Sequence, residues 1–503
     1  MVGRVTALPD VIGVVGAGTM GAGIAQLAAA TGARTLVHDP DPTALQRGAE
    51  AARDGLQRWR DRGRLDREPG PLDAVGELEA LAPCGLVVEA APERLELKRD
   101  LVGRLAAIAP DAVLASNTSS IPITALGTAA GDPGRVVGMH FFNPAPVMRL
   151  VEVIAGLDSG AEALAVARAV GAAMGKRVVD AADGPGFLVN RCSRPFGLEA
   201  LRLVQDGVAD VEVVDRGCRR GGGFPMGPFE LQDLVGLDVG LEVARSFHEQ
   251  SFGEPRWRPS PLSARMVAAG RLGRKAGRGW YAYPRAADAD PAPPAAGGGD
   301  GRTVVVTGEW PLARDLRAAA GVAGFDVRAR AGPTAPWLTL DCAGEGERAG
   351  PAARLLARGS LLALDPGGAS AGFHALGPLA GASLVELARG PGTDVLAAER
   401  TEALFAALGK HTVWVADTPG LVLGRIVAQL ANEACFAVAE GVGAPEDVDD
   451  GMVLGLNHPR GPFAWARATG ASHLLAILDA LRGELGEERY RAAPLLRRMA
   501  VAT

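Results

Sequence analysis

The chain has 503 residues, roughly three times a typical domain, so three or four domains are expected and a single small module is excluded. It is 48% hydrophobic, and its 68 Gly and 35 Pro stay below the share that marks low-complexity chains, so several buried cores are expected. A formal charge of −6 with no block of basic residues argues against a nucleic-acid or membrane-surface partner and points to small molecules.

Val11 to Val15 is a short apolar run ending in Gly16-Ala17-Gly18-Thr19-Met20-Gly21, after which Ile24, Leu27 and Ala28 recur at helical spacing. Strand, tight turn and helix are predicted in that order. The stretch Val11 to Ala33 carries no charge and is long enough for a membrane span, but six glycines break its apolar surface and Asp10 stands where a signal segment is basic. No membrane insertion is expected.

Thr35 to Val37, ending at His38-Asp39, then Leu86 to Val88, Val113 to Ala115 and Val136 to Gly138, read as further buried strands between helical stretches. Such alternation predicts a mostly parallel, Rossmann-type α/β sheet. From Gly186 to about Gly270 the pattern changes to amphipathic helices, which predicts an all-α domain. Residues 286 to 301 lack any large apolar side chain and read as a flexible linker.

The chain then starts again. A shift of 234 residues aligns Asp183-Gly184-Pro185-Gly186 with Asp417-Thr418-Pro419-Gly420, and the match runs without a gap to Pro225-x-Gly227-Pro228-Phe229 on Pro459-x-Gly461-Pro462-Phe463. The same shift carries His140 onto His374, Glu152 onto Glu386 and Lys176 onto Lys410. The expected domains are 1–185 (dinucleotide-binding), 186–285 (helical), 286–301 (linker), 302–415 (a degenerate copy of the first) and 416–503 (a second helical domain). The five scattered cysteines (Cys84, Cys192, Cys218, Cys342, Cys435) form no C-x-x-C pair, so no disulfide framework or metal site is expected, and a cytoplasmic setting fits.

Gly16-x-Gly18-x-x-Gly21 has glycine where a tight turn, a close approach to pyrophosphate and close helix–sheet packing each require it. Gly16, Gly18, Thr19, Met20 and Gly21 are the expected phosphate loop. Asp39, 23 residues after Gly16 at the end of the next strand, is the expected partner of the adenosine ribose diol, favouring NAD over NADP because no arginine follows it. The bland alternative for Asp39 is a helix N-cap or a turn acid before Pro40.

His140 and Glu152 stand 12 residues apart amid apolar neighbours, and burying both is costly unless they pair. Together they have the parts to take a proton from a hydroxyl, although spacing alone equally allows a satisfied core histidine.

With Asn117-Thr118-Ser119-Ser120, His140-Phe141-Phe142-Asn143-Pro144, Pro185-Gly186-Phe187-Leu188-Val189-Asn190-Arg191, Gly223 to Glu230 and Gly273 to Tyr281 in this order, the chain resembles the L-3-hydroxyacyl-CoA dehydrogenase family over residues 10 to 284. The resemblance implies an NAD-dependent oxidation of a 3-hydroxyacyl-CoA in a cleft between the α/β and helical domains. It implies His140 as general base, Glu152 as its partner, and Ser119 and Asn190 as donors around the reacting oxygen. It further implies that Glu93, Lys98, Ser119, Asn143 and Lys275 line the nicotinamide-ribose side. The competing structural roles are a turn hydroxyl for Ser119, a helix N-cap for Asn190 and a solvated ion pair for Glu93 and Lys98. Arg191-Cys192-Ser193-Arg194-Pro195 is more polar than the family's usual aliphatic continuation.

In the second copy Trp310 and Pro311 replace loop glycines and Gly424 stands for Asn190, so a non-catalytic role is expected. The family's helical domain forms dimers, which implies either a homodimer or an intramolecular pseudo-dimer through the helical domains. The alternatives in function are a sugar-acid (L-gulonate-type) 3-dehydrogenase and a non-catalytic NAD-binding protein.

Overall fold

Continuous apolar runs such as Val-Ile-Gly-Val-Val at Val11–Val15 show no alternation of polar and apolar residues, and they form strands covered on both faces. A computed structural model describes residues 8–285, 292–344 and 350–502. The first sheet holds β1 (Val11–Val15), β2 (Arg34–His38), β3 (Leu72–Val75), β4 (Leu86–Glu89), β5 (Val113–Ser116), β6 (Val136–Phe141), β7 (Leu150–Ala155) and β8 (Arg177–Ala182). Their order is β3-β2-β1-β4-β5-β6-β7-β8. Every neighbouring pair is parallel except β6 and β7. The connection between those two, residues 142–149, is too short for a helical crossover, so the chain must reverse.

The second sheet holds β9 (Thr303–Thr307), β10 (Asp326–Arg328), β11 (Leu338–Asp341), β12 (Ala352–Leu355), β13 (Ala371–His374), β14 (Leu384–Ala388) and β15 (His411–Val415), in the order β10-β9-β11-β12-β13-β14-β15. Its antiparallel pair, β13 with β14, is the counterpart of β6 with β7. The helices repeat with the same offset: Val189–Gln205 returns as Leu423–Ala439, and Pro228–Val235 as Pro462–Thr469. The expected α/β domain, helical domain and second set of both are all present. Residues 286–291 of the expected linker lie outside the described residues. In the rest of it, Gly297, Gly299 and Gly301 donate backbone hydrogen bonds to Ala407, Ala323 and Gly324.

Compact units do not follow the repeat boundary. Residues 1–191 fold together with 440–456, and residues 192–439 fold together with 457–503. In the first unit the helix Pro445–Leu456 lies against β7 and β8. Ala182 donates to Val442 O (2.8 Å), Arg177 reaches Asp447 (2.8 Å) and Asp450 (2.7 Å), and Arg191 reaches Glu440 (2.6 Å). In the second unit the shifted residues make the reciprocal contacts: Ala416 donates to Val208 O (2.9 Å), and Arg425 reaches Asp206 (3.3 Å). Each copy thus lends the segment before and through its second helix to the sheet of the other copy.

Buried charges hold the helical sets of the second unit together. Glu199 accepts from Arg425 (2.8 Å), Arg202 (2.9 Å) and the Tyr490 hydroxyl (3.0 Å), and Glu433 pairs with Arg256 (2.7 Å). Burial alone would raise the Glu199 carboxyl, but Arg425 and Arg202 outweigh it and hold it below the usual range. Removing one partner of such a pair strands a charge in the core, which typically costs about 3–5 kcal/mol.

Candidate active site

At the end of β1 the three loop glycines answer to different demands. Gly16 has φ +96° and a Cβ there would lie 2.7 Å from Ala90 O; a Cβ on Gly21 would lie 1.7 Å from Gly16 O. Gly18 differs, because a Cβ on it meets nothing within 4 Å. The fold itself requires the first and third glycines, whereas the second leaves open space, as a cradle for a bound pyrophosphate would. Gly18 also caps the helix Thr19–Ala30 with no side-chain hydrogen bond, so the first N–H groups of that helix remain for an anion. Thr19 is exposed and Met20 half-buried at the same turn.

Asp39 lies at the end of β2, where its Oδ2 accepts from Ala17 N in the loop (2.8 Å) and its Oδ1 from Asp41 N (2.9 Å). The N-cap of the next helix is Asp41, not Asp39. Gly18→Ala is expected to leave the melting temperature within about 1 °C and to raise the KM for NAD at least about ten-fold, since the added methyl enters only the open cradle. Gly21→Ala should instead lower the melting temperature. Steady-state kinetics and thermal denaturation of the two variants check this contrast.

Beyond β4 a second cluster forms. Glu93 accepts from Thr118 Oγ1 (2.6 Å), Ser119 N (2.9 Å), Ser119 Oγ (3.3 Å), Ser120 N (3.1 Å) and Ser120 Oγ (3.0 Å). Burial pushes this carboxyl up, but the hydrogen bonds and Lys98 outweigh burial and hold it below its usual range. Lys98 is 1% exposed and bonds the buried Glu89 (2.7 Å), with the Glu93 carboxylate at 3.4 Å, so the lysine is buried while Glu93 itself stays exposed to solvent. Glu89 completes its set with Ser116 Oγ (2.6 Å). The role of Glu89 was not legible in the sequence; its one signal is an acid ending a buried strand. Asn117 Oδ1 accepts from Phe141 N (2.8 Å), which ties this loop to the strand that carries His140.

The antiparallel register of β6 and β7 sets His140 directly opposite Glu152. Their side chains meet at Nδ1 to Oε2, 2.6 Å, with Glu152 fully buried and His140 7% exposed. Glu152 Oε1 accepts from Leu188 N (3.1 Å) and Val189 N (2.9 Å), the free donors at the start of the helix Val189–Gln205. The turn before that helix, Gly186-Phe187, has φ +69° and +50°, a left-handed pair that turns those two N–H groups toward the carboxylate. A carboxylate on Nδ1 holds the proton there and leaves Nε2 as the nitrogen able to accept another. The Phe142 ring lies 4.6 Å and the Phe187 ring 6.0 Å from the imidazole.

Asn190 is the second residue of the helix rather than its N-cap. Asn143 is exposed in the connection between β6 and β7. The glycine loop, Asp39, Glu93, Lys98, Ser119, Asn143, His140, Glu152 and Asn190 all belong to the first unit. Lys275 belongs to the second unit, where it pairs with Asp238 (2.6 Å).

Residues 11–184 match the sequence profile of the 3-hydroxyacyl-CoA dehydrogenase NAD binding domain, and residues 186–283 and 420–503 match the 3-hydroxyacyl-CoA dehydrogenase C-terminal domain. Over 496 residues, 97% of each chain, the sequence is 36% identical to 3-hydroxyadipyl-CoA dehydrogenase of Escherichia coli K12. The chain belongs to the 3-hydroxyacyl-CoA dehydrogenase family. A crystal structure of 3-hydroxybutyryl-CoA dehydrogenase from Escherichia coli K12 is similar with a TM-score of 0.82 and 34% identity, covering 98% of both chains. A probable 3-hydroxybutyryl-CoA dehydrogenase of Deinococcus radiodurans is 44% identical over 276 residues, which is 54% of this chain and 99% of that protein. The chain is accordingly an oxidoreductase with NAD as its cofactor. Among the described residues no helix is long and apolar enough to cross a membrane.

In this dehydrogenase the second copy keeps the register and loses the pair. His374 stands opposite Glu386, yet its Nε2 lies 3.0 Å from His473 Nε2. Glu386 still accepts from Val422 N (2.9 Å) and Leu423 N (3.0 Å), the counterparts of Leu188 and Val189. A Cβ on Gly424 would lie 2.3 Å from His374 Cε1, so the imidazole fills the space that a side chain at that position would take. Trp310, which caps its helix as Gly18 caps the first, stacks on His473 at 4.6 Å. The second site is packed with its own side chains.

Burial also makes the second unit sensitive to pH. It pushes His458 down to about 4 and His473 down to about 3, and holds His374 well below its usual value with help from His473. In the unfolded chain these imidazoles take protons below about 6.5, so their contribution to stability is present above that value and is lost as pH falls toward the folded values. Glu386 and Asp215, pushed up to about 7 by burial, act oppositely: the folded state holds their protons, and stability is lost as pH rises from about 4 through about 7. His458, packed against Phe196 and Phe224, offers the cleanest test. Between pH 7.5 and pH 5, His458→Phe is expected to lose about 2 kcal/mol less stability than the parent protein, measured by chemical denaturation at both pH values.

Proposed function

We propose that the chain oxidises the 3-hydroxyl of an L-3-hydroxyacyl-CoA to the ketone, with one active centre, in the first copy. The observation that carries this reading is the buried 2.6 Å contact between His140 Nδ1 and Glu152 Oε2, in the unit that also carries the open glycine cradle. NAD, when bound, supplies the acceptor for the hydride that leaves C3. His140 Nε2 takes the hydroxyl proton as the carbonyl forms, and Glu152 stabilises the resulting imidazolium. Because Leu188 and Val189 hold the other carboxylate oxygen, Glu152 cannot swing away as charge appears on the ring. Ser119 and Asn190 donate to the developing charge on the substrate oxygen. Glu93 fixes the Ser119 loop, and Lys98 with Glu89 fixes Glu93. In the reverse direction His140 returns the proton. Asn143, exposed after β6, lines the ribose side of the cofactor site.

Two aromatic rings beside the base favour an acyl thioester over a polyol acid. The paired helical sets form an intramolecular pseudo-dimer, and the reaction serves the breakdown of fatty or aromatic acids. NADH oxidation with acetoacetyl-CoA, a long 3-ketoacyl-CoA and an ω-carboxylated 3-ketoacyl-CoA tests the proposal. Turnover of at least one is expected, and the ranking assigns the acyl tail. Turnover of L-gulonate with NAD, and none of any acyl-CoA, would overturn it.

A further inference from the structure

The helix Pro445–Leu456 belongs by sequence to the second copy, yet it folds with residues 1–191, and its glycines face the residues that hold the His140–Glu152 pair. A Cβ on Gly443, just before the helix, would lie 2.8 Å from both Leu188 Cδ atoms, and one on Gly451 would lie 2.6 Å from Val189 Cγ2. Leu188 and Val189 are the two residues whose N–H groups anchor Glu152 Oε1. A Cβ on Gly455 would lie 2.8 Å from Leu150 Cδ2 and 3.4 Å from the ring of Phe142, which sits beside His140. Gly451 and Gly455 are four apart, so they share one face of the helix, and that face meets the first domain without side chains between.

This contact is pinned at three points. Val442 O takes the Ala182 N–H, Asp447 and Asp450 take Arg177, and Glu440 takes Arg191, the residue directly after Asn190. The reciprocal segment of the first copy makes the same kind of approach in the second unit: a Cβ on Gly217 would lie 2.9 Å from Glu386 Oε1, and one on Gly221 would lie 3.1 Å from Leu423 Cδ2.

We infer that Gly451 and Gly455 of the second copy are positioning residues for the reaction in the first, setting Val189 and Phe142 and through them the Glu152–His140 pair. The inference rests on the reading of His140 as base. The degenerate copy then contributes directly to the geometry of the only active centre, in addition to covering an apolar face. A shift of Val189 N carries the Glu152 carboxylate with it, and a misplacement of about 1 Å, even one caused far from the chemistry, can cost about 10²-fold in rate.

In the full-length protein, Gly451→Ala is expected to lower kcat about ten-fold per bound NADH, with the KM values for NADH and acetoacetyl-CoA within about two-fold of the parent. Adding Val189→Ala, which removes the methyl that the new Cβ strikes, should restore kcat to within about three-fold. Glu446→Ala, at an exposed position of the same helix, should leave kcat unchanged. If Gly451→Ala does not fold, Gly455→Ala supplies the same readout through Phe142. Full activity in a folded glycine variant, or a loss that Val189→Ala does not recover, would overturn the inference. His140→Ala in the same assay separates the two claims: its retention of activity sinks the reading of the base, whereas its inactivity beside fully active glycine variants sinks this inference alone.

Discussion

Glu152→Ala is expected to lower kcat by about 10²-fold or more and to destabilise the protein by about 2–6 kcal/mol, while Glu386→Ala destabilises by a similar amount and leaves kcat unchanged. The carboxylate of Glu152 has two tasks, because Oε2 holds His140 and Oε1 takes two buried N–H groups at a helix start. Glu386 keeps the second task alone. Each abandoned buried donor typically costs about 1–3 kcal/mol, which sets the stability figure for both variants. The difference between them in kcat isolates the orienting role. Chemical denaturation and steady-state rates on both proteins measure the two effects separately.

Part of this arrangement was legible before any coordinates. The strand, glycine turn and helix at Val11–Ala30 could be read because Gly16 and Gly21 sit where the backbone admits only glycine, and the sequence spacing records that demand. The 234-residue repeat was legible because helices such as Val189–Gln205 and Leu423–Ala439 return with unchanged length. The pairing of His140 with Glu152 was not fixed by their spacing of 12. It follows from the short connection that makes β6 and β7 antiparallel, and therefore from register, which is a tertiary property. Strands β3 and β8 lacked a signal for a related reason: the half-exposed edge strands Leu72–Val75 and Arg177–Ala182 carry no continuous apolar run.

Long-range exchange was the least legible. Nothing local in Gly443, Gly451 or Gly455 says that they meet Leu188, Val189 and Phe142, since the partners lie some 250 residues or more away and the contact is made by absent side chains. Lys98 shows the opposite limit. A lysine five residues after Glu93 suggests a surface pair, and only the fold reveals Glu89 and burial beside it.

His140→Ala is expected to lower kcat by about 10³-fold, within the 10²–10⁴-fold range typical of a lost general acid–base group, with little change in stability. The ring hydrogen-bonds Glu152, and its loss leaves a carboxylate that Leu188 and Val189 still hold. His374 occupies the matching position in the second sheet but bonds His473 and fills the space beside Gly424. On the proposed reading the duplicated chain holds one active centre, in its first copy. The direct measurement is kcat for acetoacetyl-CoA reduction by His140→Ala and His374→Ala, each normalised to folded protein. A loss of about 10³-fold is expected for the first and a rate within about two-fold of the parent for the second; equal partial losses in both would contradict a single active centre in the first copy.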